Sequence, residues 1–298
     1  MRPKLQILTA AGVGIAFGIA MPHEFNGRSL LGGERSNDIA AAAMMKATVA
    51  APLPPVAAVP APKPKPVAAA APAPAPAAPA RAETRSQKAL RILRGRVDRQ
   101  SHPNALRYAV EAYFNYKAAH PERVKKPYLY YVDYGLSSST PRGYVFDMEN
   151  LKVVEGPFTV AHGRGSGSGA IPTRFSNRNG SNSTSLGLFL TQETYAFSGS
   201  SNGRFYRSIG LRLKGLSGAF NSAALSRGVV AHGAPYVTRS RAGRSEGCPA
   251  MEPARARRLL PKISGGAMVF LFSPADARWL SRDPWAHAGD DRDDDANS

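Results

Sequence analysis

Apolar residues follow a helical period in one stretch of the chain, between residues 104 and 119. A Ser-His-Pro sequence at 101–103 precedes this stretch, with serine as the N-cap and proline in the first turn. A His-Pro pair at 120–121 ends it. These signals predict a helix that packs on the rest of the domain through one face. Its apolar positions are Leu106, Ala109, Val110, Tyr113 and Phe114.

From residue 128 onward the apolar pattern changes to short strands bounded by Gly, Ser and Asn. The strand-like stretches are Tyr128–Asp133, Tyr144–Phe146, Val153–Val160, Gly228–Ala231 and Met268–Phe272. A further run alternates, with Phe205, Ile209, Leu211 and Leu213 on one side and Tyr206, Ser208, Arg212 and Lys214 on the other. Many short strands of this kind predict a mainly β fold, a β-sandwich or barrel. A few short helices complete it, one of them at Glu252–Leu260.

The N-terminus has the pattern of an export signal. Arg2 and Lys4 precede an uncharged, largely apolar run from Leu5 to Ala20, and Gly18 and Ala20 suit a cleavage site. The run is also nearly as long as the roughly 20 residues that span a bilayer. Residues 1–21 are therefore predicted to be a signal peptide or a membrane anchor. Either one places the chain in the periplasm or cell envelope.

Composition divides the chain further. Of the 30 residues at 51–80, 24 are Ala or Pro, and such a stretch cannot bury enough apolar surface to fold. We expect a disordered linker over 22–84, a helical extension over 85–123, a folded domain over 124–275 and an acidic tail over 276–298. Five aspartates between Asp290 and Asp295 mark that tail.

The chain has a single cysteine, Cys248, and a formal net charge of +18. One cysteine forms neither an internal disulfide nor a multi-cysteine zinc site. The charge indicates anionic surroundings, but the Arg and Lys residues are spread without a nucleic-acid recognition motif, so no nucleic-acid partner is expected. No cofactor or metal site is predicted. The oligomeric state is left open.

One group of residues has the features that thiol catalysis requires. A short apolar strand leads to His232, and a loop that contains Gly243, Arg244, Ser245 and Gly247 leads to Cys248. Imidazole is a suitable base for a thiol near neutral pH, and the amides of residues 247 and 248 could stabilise an oxyanion. Arg244 could favour thiolate or bind a substrate carboxylate. A buried, inert cysteine beside a core histidine is the alternative.

These residues resemble the murein L,D-transpeptidase catalytic domain. The resemblance rests on His-Gly followed by Ser-x-Gly-Cys and extends from about Pro127 to Ser273. Further matching stretches indicate a less-studied branch of that family. They are Ala161-His162-Gly163, Phe175-Ser176-Asn177, Ser185-Leu186-Gly187, Leu211-x-Leu213-x-Gly215-Leu216, Asn221, Arg227 and His232-Gly233-Ala234-x-Tyr236-Val237.

The resemblance implies a mainly β domain that crosslinks peptidoglycan by acyl transfer. Cys248 would be the nucleophile and His232 the base, oriented by the carbonyl of Gly233. Ser245 would brace the loop, and the amides of Gly247 and Cys248 would form the oxyanion hole. A peptidoglycan stem peptide would be the substrate, and a carbapenem would be captured on the thiol. Residues implied in substrate binding are Arg244, His162, Tyr236, Asn177 and Ser185.

Two positions differ from the better-known branch. Ala250 stands where an arginine is usual, and Glu246 occupies the variable position of the motif. An acid that pointed at the thiol would disfavour thiolate, so we expect Glu246 to point outward.

The acyl acceptor stays open: a second stem, a protein amine, or water in an L,D-carboxypeptidase. A non-catalytic peptidoglycan-binding module is a further alternative. The chain contains neither Ser-x-x-Lys nor His-Glu-x-x-His, which disfavours penicillin-binding serine enzymes and zinc peptidases of that type.

Overall fold

The computed structural model describes residues 82–287. The export signal, nearly all of the predicted linker and the aspartates of the tail lie outside the described residues. No helix of residues 82–287 is long and apolar enough to cross a membrane. The helices in this range are α1 (Arg85–Arg94), α2 (Ala105–Ala119), α3 (Pro253–Ile263) and α4 (Ala277–Arg282). The strands are β1 (Tyr128–Asp133), β2 (Gly143–Asp147), β3 (Lys152–Phe158), β4 (His162–Gly163), β5 (Gly187–Ser201), β6 (Arg204–Gly215), β7 (Val230–Gly233), β8 (Arg244–Ser245), β9 (Ala250–Met251) and β10 (Met268–Phe272).

Eight of these strands form one sheet in the order β3-β2-β1-β10-β5-β6-β7-β9. The pairs β1–β10 and β7–β9 are parallel, and the other neighbours are antiparallel. Strands β4 and β8 form a separate parallel pair. The prediction of a mainly β fold with a few short helices is confirmed.

The helix predicted from the apolar period is α2, but its first residue is Ala105. Ser101, expected to be its N-cap, instead donates its hydroxyl and its amide to the Asp133 carboxylate at the end of β1. The helix therefore begins after a turn that is tied to the sheet. Tyr113 and Tyr116 are buried in the core shared with the sheet, so the helical extension and the sheet form one hydrophobic core.

The folded part also extends beyond the predicted boundary at residue 275. Residues 277–282 form α4, and Trp279 is 1% exposed among the core residues. The Trp279 indole donates to Asp283, and the Trp285 indole donates to the carbonyl of Leu216. These contacts correct the predicted start of the acidic tail, because residues 276–287 pack on the domain.

The alternating run that includes Phe205 is strand β6, and its two ends differ in burial. Leu211 and Leu213 are buried, whereas Phe205 is 90% exposed. Strand β6 pairs with β7 only over residues 210–212. Within the described residues, the first part of β6 and the last part of β5 therefore form a hairpin in which each strand pairs only with the other. The alternation of apolar and polar residues along β6 therefore identified buried positions only in the part of the strand that has a neighbouring strand on both sides.

The edge of the sheet brings the two predicted reactive residues together. Strand β7 carries His232 and pairs in parallel with β9, with His232 opposite Ala250. The loop that joins β8 to β9 carries Cys248. Cys248 precedes Ala250 by two positions, so this register brings it alongside Val230 at the start of β7. Two short parallel pairs, β4–β8 and β7–β9, thus fix both ends of the thiol loop, residues 246–249.

Candidate active site

The Cys248 thiol lies at the N-terminal end of β7 and is partly exposed. Its Sγ atom accepts a hydrogen bond from the Val230 amide at 3.5 Å and lies 3.9 Å from the Gly228 carbonyl oxygen. Cys248 and His232 both line a cleft of about 450 Å³. The single thiol of the chain therefore opens into a cavity that also holds an imidazole.

The His232 ring is buried and held from two directions. Its Nδ1 atom is 3.1 Å from the Gly233 carbonyl oxygen, and the Phe197 ring stacks on it with centroids 4.2 Å apart. Because a carbonyl only accepts, Nδ1 carries the proton and Nε2 keeps its lone pair. Burial lowers the pKa of His232 to about 4. The histidine is therefore a neutral base at pH 7.

The Cys248 thiol is also neutral at pH 7. Burial raises its pKa to about 11, although the Val230 amide and the positive charge of Arg227 act in the opposite direction. Glu246 raises the pKa further. No hydrogen bond joins Sγ to the His232 ring in residues 82–287. The two groups are therefore a neutral thiol and a neutral base, without a preformed thiolate–imidazolium pair.

We expect alkylation of Cys248 by iodoacetamide to rise about tenfold per pH unit from pH 6 to 9, because only the thiolate reacts and the thiol pKa of about 11 lies above this range. The rate is measured by mass spectrometry of the intact protein, which has a single cysteine. The urea-unfolded chain is the control, and its rate should level off near the ordinary thiol pKa of about 8.5. A plateau below pH 8 in the folded protein would show a preformed ion pair.

Ser245 connects the two ends of the thiol loop. Its hydroxyl donates to the Cys248 carbonyl oxygen at 2.6 Å and accepts from the Gly247 amide at 3.2 Å. The Gly247 amide, expected in the oxyanion hole, is therefore occupied by Ser245 in this structure. The Cys248 amide makes no hydrogen bond within the described part of the chain. Of the two amides predicted to form the oxyanion hole, it is therefore the one available to bind an oxyanion.

Two glycines allow the thiol loop to pack closely. Gly247 has a φ of +120°, and a Cβ added there would lie 3.0 Å from the Ser183 carbonyl oxygen. A Cβ added at Gly163 would lie 2.7 Å from the Cα atom of Gly247. The loop therefore rests directly on the backbone of β4 and of residue 183, and a side chain at either glycine would displace it.

Arg244 lines the cleft, but its guanidinium points to main-chain carbonyls. It donates to the carbonyls of Ala242, Gly243, Ser168 and Gly169. Both terminal nitrogens are thus used within the protein. These contacts tie the strand before the thiol loop to residues 168 and 169. A role of Arg244 as a carboxylate ligand stays a prediction.

His162 lies inside the protein and not in the cleft. Its ring is fully buried, with Nδ1 2.9 Å from a terminal nitrogen of Arg142, which is also fully buried. Burial lowers the pKa of His162 to about 3, and the charge of Arg142 acts in the same direction. A neutral imidazole at this position accepts from Arg142 and supports β4 beneath the thiol loop. The prediction that His162 binds substrate is wrong because no surface of the ring is accessible.

Asn177 and Ser185 are also outside the thiol cleft, and Tyr236 lies within it. Asn177 donates to Ser222 and accepts from the Ala223 amide, and it lines a separate cavity of about 510 Å³. Ser185 is buried and bonds to the Ser176 carbonyl and to Arg227. These contacts correct the two substrate-binding assignments, since both side chains join loops to each other.

The sequence analysis gave Arg227 as a matching residue without a role, and it did not identify Phe197. The Arg227 guanidinium donates to the carbonyls of Ser176 and Ser183 and lines the cleft beside Cys248. It is the cation whose charge lowers the pKa of the thiol. The role of Arg227 could not be read from that pattern, because its guanidinium is held by residues 44 to 51 positions away. Phe197 stands in no pattern that marks a site.

Glu246 points outward, as expected. Its side chain is 74% exposed, and its carboxylate pairs with Arg164 at 3.2 Å. In residues 82–287, no group of three or more His, Cys, Asp or Glu side chains is arranged to hold a metal ion.

Comparison with known proteins gives one family. The sequence matches the model of the L,D-transpeptidase catalytic domain over residues 98–272, which is more than half of the chain. No curated protein matches it. Among solved structures it is similar to L,D-transpeptidases from Mycobacterium smegmatis (16% identity, 49% of this chain and 58% of that chain, TM-score 0.31), Xylanimonas cellulosilytica (16%, 50% and 62%, 0.30) and Stackebrandtia nassauensis (14%, 57% and 69%, 0.32). The chain thus covers less than two thirds of the first two structures.

Proposed function

Because the chain belongs to the L,D-transpeptidase catalytic-domain family, we propose that it modifies peptidoglycan by acyl transfer through a thioester on Cys248. The family indicates a peptidoglycan-modifying activity and an envelope location. The observation that carries the finer proposal is the shared cleft of Cys248 and His232. There the only thiol of the chain faces the same cavity as a neutral imidazole with a free Nε2 lone pair.

In the first half-reaction, Cys248 Sγ attacks the carbonyl carbon of the third residue of a donor stem tetrapeptide. The S–C bond forms while the thiol proton moves to His232 Nε2. The negative charge on the carbonyl oxygen is stabilised by the Cys248 amide. The C–N bond to the terminal D-alanine then breaks, and Nε2 returns the proton to the leaving amine.

In the second half-reaction, an acceptor amine attacks the thioester carbonyl. The new N–C bond forms, the C–S bond breaks, and the amine proton passes through His232 to the sulfur. Water in place of the amine would give L,D-carboxypeptidase activity with the same residues. The acceptor is therefore the point at which the two enzyme activities differ, and the order of proton transfers is common to both.

Three predicted residues support this arrangement without contacting the substrate carbonyl. The Gly233 carbonyl fixes the His232 tautomer, Ser245 holds the thiol loop, and Tyr236 lines the cleft. We place the chain in the periplasm or envelope, where the proposed export signal or membrane anchor would bring it to peptidoglycan.

A carbapenem tests the acylation step. We expect the purified folded protein to gain the mass of one carbapenem, located on the peptide that contains Cys248. The urea-unfolded protein has the same thiol without the cleft and should gain no such mass under the same conditions. A folded protein that stays unmodified, with its Cys248 still open to alkylation, would contradict the proposed nucleophile.

A further inference from the structure

Among the charged residues that line the thiol cleft, the one with an exposed side chain is the anion Glu246, although the chain as a whole carries +18. The charged side chains that line the cleft are Arg227, Arg244 and Glu246. The terminal guanidinium nitrogens of Arg227 and Arg244 donate hydrogen bonds to carbonyls and hydroxyls of the protein. Glu246 exposes its carboxylate to solvent. A ligand that enters the cleft therefore meets the exposed ion pair of Glu246 and Arg164, while the donors of Arg227 and Arg244 are already used.

Glu246 stands on the thiol loop two positions before Cys248, and its charge acts on the thiol. Its partner in the structure is Arg164, which follows β4 and is 60% exposed. An ion pair between two exposed side chains contributes little free energy. A cation that arrives with a substrate can therefore replace Arg164 at small cost.

We propose that Glu246 recognises a positive charge on the acyl acceptor, so that the preferred acceptor is a cationic amine. This inference rests on the proposed function, because it concerns the second half-reaction. An alkylammonium group of the acceptor displaces Arg164 and pairs with the Glu246 carboxylate. A second, uncharged amine of the same molecule then attacks the thioester carbonyl. The N–C bond forms, the C–S bond breaks, and the amine proton passes through His232 to the sulfur of Cys248.

Glu246 acts here as a binding residue and takes no proton from the acceptor. Its effect as a binding residue falls on the KM of the charged acceptor. The effect of its charge on the Cys248 thiol is common to charged and uncharged acceptors. Arg164 competes with the acceptor for the same carboxylate. Its removal is therefore expected to favour the cationic acceptor, which is the opposite of the effect of removing Glu246.

Two acceptors that differ only in side-chain charge test the proposal. Lysinamide carries a side-chain ammonium and norleucinamide an uncharged chain of similar length, and both attack through the α-amine. The acyl-enzyme is formed from a stem tetrapeptide, and the partition between aminolysis and hydrolysis is measured by chromatography. This ratio does not depend on the rate of acylation.

Glu246→Gln is expected to raise the KM of lysinamide about two- to fivefold, because an exposed ion pair contributes only about 0.4 to 1 kcal/mol. The KM of norleucinamide should stay unchanged. Glu246→Asp should restore part of the preference, and Arg164→Gln should lower the KM of lysinamide. Glu193→Gln is the matched control, because Glu193 is also exposed and paired with an arginine but does not line the cleft. High salt should reduce the difference between the acceptors.

Equal changes for both acceptors, or no change in Glu246→Gln, would overturn the assignment of Glu246 while the proposed function stands. Failure of the parent protein to form an acyl-enzyme would overturn the proposed function and this inference together.

Discussion

Replacement of Cys248 by alanine is expected to abolish every change that the protein makes to stem tetrapeptides. The sulfur forms the covalent intermediate in both half-reactions, and no other cysteine stands in the chain. Loss of the nucleophile in an enzyme of this kind lowers the rate by about four orders of magnitude or more. The measurement is chromatography of muropeptides after incubation with the parent protein and with Cys248→Ala.

The products of the parent protein distinguish the remaining alternatives. Crosslinked dimers indicate transpeptidation, and tripeptide without dimers indicates trimming by water. Circular dichroism of Cys248→Ala controls for folding, and we expect an unchanged spectrum because Cys248 is a partly exposed loop residue. An equal product pattern from the parent and the alanine variant would contradict the enzyme proposal and favour a binding module.

Replacement of Arg142 by methionine is expected to lower the free energy of unfolding by about 3 kcal/mol. The buried guanidinium donates to the carbonyls of Val160 and Leu136 and to His162 Nδ1, and each buried acceptor left unpaired costs about 1–3 kcal/mol. Removal of a buried charge offsets part of this loss. The face of the Tyr134 ring, with its centroid 4.7 Å from the guanidinium carbon, also loses its cation.

Urea unfolding measures this change, with Arg207→Met as the matched control. Arg207 is an exposed arginine on β6, and its replacement should change the free energy of unfolding by no more than about 0.5 kcal/mol. An Arg142→Met protein as stable as the parent would show that burial of the charge costs as much as its hydrogen bonds contribute. We also expect slower carbapenem acylation in Arg142→Met, because His162 and β4 support the thiol loop.

The features that could be predicted from the sequence are those encoded by neighbouring residues. The apolar period of α2 and the short apolar strands gave the fold class. The single Cys248, the strand that leads to His232 and the glycines around the thiol led to the prediction of a nucleophile and a base. Each of these strand and loop signals lies within a few neighbouring residues. The position of Ser245 within its own loop was likewise a local property.

The roles of the remaining site residues depended on contacts between distant segments. The pair of Arg142 and His162, the contact of Asn177 with Ala223 and the contact of Ser185 with Arg227 join residues that are 20 to 46 positions apart. A motif gives the order of such residues but not the direction in which each side chain points.

By itself, the sequence determined a mainly β domain with one thiol and one candidate base, because hydrophobic period and residue chemistry are local. The tertiary structure decided which polar groups face the cleft. The pairing of β4 with β8 and of β7 with β9 buried His162, turned Arg244 to carbonyls, and left Glu246 as the exposed charge beside Cys248. The physical reason is that buried donors must find acceptors, and strand register decides which acceptors are within reach.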